Sequence, residues 1–86
     1  CTHNVALAML LNGNNEGASS NLECAQKSAA VYYLQAVVGA RTGNDNMVFN
    51  NIKKAIQADS KYRAEAQVDR EFLKYFNNAD FQNAIK

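Results

Sequence analysis

Apolar residues fall in blocks with helical spacing, and Asn- and Gly-containing breaks separate the blocks. Val5, Leu7, Ala8, Met9 and Leu11 crowd together and predict a first helix over about Asn4–Asn12, stopped by a left-handed Gly13 within Asn12-Gly13-Asn14. The polar stretch Asn14–Ser19 reads as a connection. Ser20 and Glu23 then stand at capping-box spacing and predict a short helix over Ser20–Ala25. From about Lys27 to Thr42 the chain is apolar on nearly every side of a helix, through Ala29, Ala30, Val31, Tyr32, Leu34, Ala36, Val37, Val38 and Ala40, as expected of a helix sandwiched between neighbours. Gly43-Asn44 closes it, and Asp45 is placed to cap the next. There Val48, Ile52, Ala55 and Ile56 share one face, and Asn50, Lys53, Lys54 and Gln57 occupy the other. Asp59 or Ser60 would cap a fifth helix through Tyr62 and Ala66 towards Phe72, Leu73 and Phe76, with a break near Asp69. A last turn, Asp80–Ile85, follows the Asn77-Asn78 cap pair.

The absence of proline and the scarcity of alternating apolar and polar runs make this an all-α chain of four or five helices. The pattern also repeats. Laying Gly13-Asn14 on Gly43-Asn44, an offset of 30 positions, puts Ala6 over Ala36, Leu10 over Ala40, Leu22 over Ile52 and Ala25 over Ala55. Two helical hairpins on one plan are implied. The offset falls short of the roughly 34 residues of a tetratricopeptide repeat, and the missing residues are expected in the polar Asn14–Ser19 stretch and the short helix after it.

The second hairpin resembles the tetratricopeptide (TPR) family. The resemblance rests on Tyr32, the aromatic early in the first helix; Ala36, the small residue at the helix crossing; the Gly43-Asn44 turn; Ala55; and the run Lys54-Ala55-Ile56-Gln57-Ala58-Asp59. The chain departs from that pattern at Gly39, Val48 and Ser60. With the wording around Leu10, Tyr32–Asn44 and Asp69–Phe76, it looks like the C-terminal portion of TPR-containing envelope proteins of Bacteroidetes bacteria. The resemblance implies TPR-like hairpins, a fragment of a right-handed α-solenoid, within one domain over 1–86. Residues 1–26 would form a shortened first hairpin, 27–60 a second and 61–86 the capping helices. In the capping part Phe72, Leu73, Phe76, Phe81 and Ile85 would cover the last apolar face, while Lys61, Arg63, Glu65, Arg70, Glu71 and Lys74 would be solvated. The resemblance also implies a bacterial cell-envelope scaffold.

Charge adds an exclusion. Nine basic residues against eight acidic, with no basic cluster, argue against a nucleic-acid or anionic-membrane surface. No apolar run approaches the roughly 18 residues of a membrane span. The missing initiator Met and basic leader read as a processed or excised piece of a longer chain.

Reactive chemistry is sparse. His3 is the single histidine, and with two widely spaced cysteines it offers no zinc-ligand spacing; no cofactor is expected. Cys1 or Cys24 beside His3 would lack an orienting acid and an oxyanion motif, so an enzyme is not expected. An antiparallel hairpin turning near Asn14 would bring Cys1 alongside Cys24 within disulfide reach, which would suit an oxidising compartment. Two free thiols, or lipid on Cys1, are the alternatives. Asp45, Asp59, Asp69 and Asp80 all stand at helix starts or breaks and read as caps, and Lys53-Lys54 as a solvated face.

If the hairpins stack as the family implies, Tyr33, Val37 and Arg41 form one concave stripe, and His3, Leu7 and Leu10 a neighbouring one. Tyr33 would offer contact area and Arg41 a grip on a carboxylate of a peptide or protein segment. Two functions remain open: a non-enzymatic protein-interaction scaffold docking such a segment, or a structural capping or self-association segment of a larger envelope protein with no separate ligand.

Overall fold

Short polar side chains set where this chain turns into helix. The computed structural model describes all 86 residues, which form α1 (His3–Leu11), α2 (Asn15–Cys24), α3 (Ala29–Thr42), α4 (Asp45–Ala58), α5 (Lys61–Val68), a 3-10 segment (Arg70–Tyr75) and α6 (Ala79–Ala84), with no strand. Thr2, Asn14, Ser28, Asn44 and Asn78 each precede a helix, and each accepts a hydrogen bond from the backbone N–H three residues on, at 2.9 to 3.2 Å. Such a cap satisfies one of the free amides of the first turn. Asp59 performs a related task for α5, accepting from the Lys61 N–H at 3.1 Å, and Asp69 accepts from the Glu71 N–H at 2.9 Å to start the 3-10 segment. Asp45 and Asp80 are not caps: Asn44 and Asn78 take those positions and place both aspartates in the first turn, where the helix dipole still favours them.

The helices pair as two hairpins, α1 with α2 and α3 with α4, and α2 packs on α3 to join them. The offset of 30 extends to the atomic detail of the turns. Gly13 and Gly43 sit at φ 78° and 75°, in the left-handed region that glycine enters without a Cβ penalty. The Asn14 N–H donates to the Met9 carbonyl and the Asn44 N–H to the Gly39 carbonyl, both at 2.8 Å. The aligned pairs Ala6 and Ala36, Leu22 and Ile52, Ala25 and Ala55, and additionally Ala18 and Val48, are all buried. Gly39 is required by close approach, since a Cβ there would lie 3.0 Å from the Asn44 carbonyl oxygen, the Met47 Cβ and the Val48 nitrogen. At the same offset, Met9 takes the place of Gly39 and Gly17 that of Met47, so each hairpin has, besides its turn glycine, one glycine and one methionine near the turn.

The first hairpin is shorter in its second helix, as the sequence suggests, but not in the Asn14–Ser19 stretch. Asn14–Ser19 is no connection: α2 starts at Asn15, capped by Asn14, and Ser20 lies inside it. The shortening lies at the open end, where α2 stops at Cys24 although α4 runs on to Ala58. The Lys27 ammonium donates to the Leu22 carbonyl at 2.9 Å, satisfying one of the acceptors left free there.

The C-terminal segment folds back over the second hairpin. α5 and α6 pack on α4, and the 3-10 segment packs on α3. Phe72 and Phe81 are fully buried, and Tyr75 is nearly so. Their rings connect to one another and to the hairpin: Phe72 meets Tyr33 edge-on at 5.7 Å between centroids, Phe81 lies between Phe72 and Tyr75, and Tyr75 meets Phe49. Phe76 is only partly buried, and Leu73, expected as cover, is 60% exposed. One cluster of 21 buried apolar residues runs from Ala6 to Ile85. The radius of gyration, 11.7 Å, matches the roughly 12 Å of a closed domain of this length. No helix is long and apolar enough to cross a membrane.

Candidate functional site

α1, α3 and α5 enclose a groove of about 410 Å³. Its floor comes from α3 through Ala30, Leu34 and Val37; one wall comes from α1 through Leu7 and Leu11, and the other from α5 through Tyr62 and Glu65. Asp69, Glu71 and Arg41 also line it, and so does His3. The five residues expected to meet a partner, Tyr33, Val37, Arg41, His3 and Leu7, thus line one cavity, together with Leu10. They differ sharply in what they can offer an incoming molecule.

Tyr33 is 5% exposed and Val37 is 4% exposed, so both belong to the core as much as to the groove. The Tyr62 ring stacks on Tyr33 at 4.8 Å between centroids, and the Tyr33 hydroxyl donates to Asp69 Oδ2 at 2.6 Å. Burial, reinforced by the hydrogen bond to the Asp69 carboxylate, pushes the Tyr33 phenol well above its usual range. Tyr33 is therefore a pin that holds the break after α5 against α3. A second pin of the same chemistry runs in the reverse direction, from the Tyr75 hydroxyl to Asp45 Oδ1. Burial first, then that bond, pushes the Tyr75 phenol up to about 12.

Arg41 is also occupied. Nε and Nη2 donate to the two carboxylate oxygens of Glu71 at 3.0 and 2.6 Å, while Nη1 donates to the Leu10 carbonyl at 2.7 Å and to Asn15 Oδ1 at 3.1 Å. The bond to Glu71 raises the guanidinium pKa further, so the charge is permanent. One side chain of α3 thus ties the turn of the first hairpin to the 3-10 segment. Both ends of its planar fork are used internally, and it has no free edge for a partner's carboxylate. Glu71, read from sequence as a solvated charge, is its counter-ion.

The apolar offer comes from α1. Leu7 is 43% exposed and Leu11 is 77% exposed, both on the groove. Leu11 was not among the expected contact residues; its signal in the sequence is an apolar run continuing past the face that Ala6 and Leu10 bury. Glu65, Asp69 and Glu71 carried no sequence signal, because their place in the groove depends on how α5 folds back.

Cys1 and Cys24 are joined in a disulfide, with their Cα atoms 5.6 Å apart. Thr2 adds a bond across the same end, its N–H donating to Asn21 Oδ1 at 3.0 Å. In this state neither sulfur is a nucleophile or a lipid carrier, and His3 has no thiol beside it. No group of three or more His, Cys, Asp or Glu side chains converges as a metal site. Every buried side-chain polar atom has a partner, so no orphaned group is aimed into a cavity. No family model, curated protein or solved structure matches the chain. The functional reading therefore rests on the groove itself.

Proposed function

We propose that the chain is a non-enzymatic interaction module, a TPR-like pair of hairpins with a C-terminal cap, which docks a segment of another protein in the groove between α1 and α5. The observation that carries this reading is the exposure of Leu7 and Leu11 on the rim of a cavity of about 410 Å³. Two large apolar side chains along one wall of a concave, mainly apolar floor offer a docked apolar side chain the surface it needs. The equal spacing of the two hairpins, down to the turn hydrogen bonds, supports the repeat reading. The disulfide supports an oxidising location such as a bacterial envelope.

The alternative, a capping or self-association segment without a separate ligand, is favoured by Val5, 45% exposed on α1 and outside the groove, and by the way residues 61–86 cover the second hairpin. A retention experiment separates the two. The immobilised domain and its Leu7→Asp/Leu11→Asp variant, both verified helical, are compared for proteins held from a cell-envelope extract. The docking reading expects a defined protein retained by the former and lost from the latter; equal retention by both, or none by either, sinks it. Tyr33 and Arg41 are unsuitable for this test, because replacing them breaks internal pins.

A further inference from the structure

The chain as a whole is nearly neutral, with a formal charge of +1, but its charge is segregated. Lys53, Arg63 and Lys86 line a cavity formed by α4, α5 and the C-terminal end, with no carboxylate side chain among its lining residues. The groove carries the opposite sign. Three carboxylates, Glu65, Asp69 and Glu71, line it against a single guanidinium, Arg41. That guanidinium is neutralised by Glu71, which leaves Glu65 and Asp69 as the surplus. Asp69 accepts the Tyr33 hydroxyl and the Glu71 N–H, one on each oxygen, and has no cationic partner. Glu65 is exposed and has neither a hydrogen bond nor an ion pair from its side chain.

An acidic segment entering this groove would face two uncompensated carboxylates and find Arg41 engaged. A basic segment would find its counter-charges in place, beside an apolar floor that its aliphatic side chains can cover. We infer that the occupant of the groove is a cationic amphipathic helix of a partner protein, with apolar side chains between Leu7, Leu11 and Val37 and a lysine or arginine on Glu65 and Asp69. The inference rests on the docking reading above and gives it a charge requirement. Lys and Arg suit the position twice over, since their methylene stems pack along the apolar floor while the charged head reaches the carboxylates on the α5 side.

The test uses a displayed library of helical segments about 14 residues long, ~21 Å and so comparable to α3 beneath them. The library has fixed leucines at helical spacing and randomised flanking positions. It is selected on the oxidised domain and counter-selected on Leu7→Asp. The expected result is enrichment of Lys and Arg over Asp and Glu. Individual binders should weaken by roughly fivefold on Glu65→Lys, the scale of one partly exposed ion pair. Glu65→Lys changes an exposed, unpartnered side chain and should leave helicity and the melting temperature unchanged, which circular dichroism checks. Binders that need Leu7 but carry neutral or acidic flanks would overturn the charge requirement while leaving the docking site standing. A selection that yields no Leu7-dependent binder would overturn both.

Discussion

Replacing Cys1 and Cys24 with serine removes the covalent link at the open end of the first hairpin. Both residues are exposed, so the substitution leaves no cavity and isolates the effect of the cross-link. The sequence separation is 23, for which the loop-closure estimate gives about 3.4 kcal/mol at 25 °C. A domain of this length is stable by roughly 4 to 13 kcal/mol in total, so the bond supplies a quarter or more of the margin. The effect should concentrate in α1, which packs mainly on α2 and less on α3. Its further ties are the Thr2–Asn21 bond and the bond from Arg41 to the Leu10 carbonyl. Urea unfolding followed by circular dichroism, with a slope of about 1 to 1.5 kcal/mol per molar, should show the midpoint fall by roughly 2 to 3 M. Reductant added to the unmodified protein should have the same effect. Hydrogen exchange should show the α1 amides losing protection before those of α3 and α4. A midpoint shift below about 0.5 M would refute the claim that the cross-link holds the α1 wall of the groove.

Other perturbations probe the pins and the cap. Phe72→Ala removes a fully buried ring between Tyr33 and Phe81, and thermal melts should show a loss of about 3 to 5 kcal/mol. Arg41→Met deprives Glu71 and the Leu10 carbonyl of their donor at a cost of about 1 to 3 kcal/mol in chemical denaturation. In a double-mutant cycle with Glu71→Gln the two losses should be strongly non-additive. Tyr33 and Tyr75 both have phenol pKa values raised by folding, so their contribution is full below the unfolded value near 10 and is lost as pH rises above it. Between pH 10 and 12 stability should fall by up to about 2.7 kcal/mol per pH unit for the two groups together. Tyr33→Phe/Tyr75→Phe should flatten that slope in urea unfolding measured across the alkaline range. Gly43→Ala forces a Cβ into the left-handed region where nothing else obstructs it, and should cost about 1 to 2 kcal/mol by thermal unfolding.

The all-helical class and most helix boundaries were legible because capping and periodicity are local. Gly13 and Gly43, the Asn77-Asn78 break and the interruption at Asp69 all act within a few residues of themselves, and the backbone follows them. The start of α2 was missed for a local reason as well. Its buried face is Ala18, Leu22 and Ala25, mostly small side chains, so the segment reads as polar although the spacing is helical. The character of the groove was not legible, because it is set by pairings across the fold. Tyr33 reaches Asp69 over 36 positions, and Arg41 reaches Glu71 over 30 and Leu10 over 31. Helical periodicity puts Tyr33, Val37 and Arg41 on a stripe of α3, but it carries no information about α5 folding back to claim two of them. The same fold-back brings Glu65 and Asp69 to the rim and reverses the sign of the charge on offer.

The central claim is that the cleft between α1 and α5 is the surface by which this domain meets another protein. Site-specific photocrosslinking in cells that make the protein tests it most directly, with the reactive side chain placed at Leu7, at Leu11 and, as an exposed control outside the groove, at Lys54. The account expects one defined protein adduct from Leu7 and Leu11 and none from Lys54. Adducts from Lys54 alone, the same adducts from all three positions, or none from the groove would contradict it.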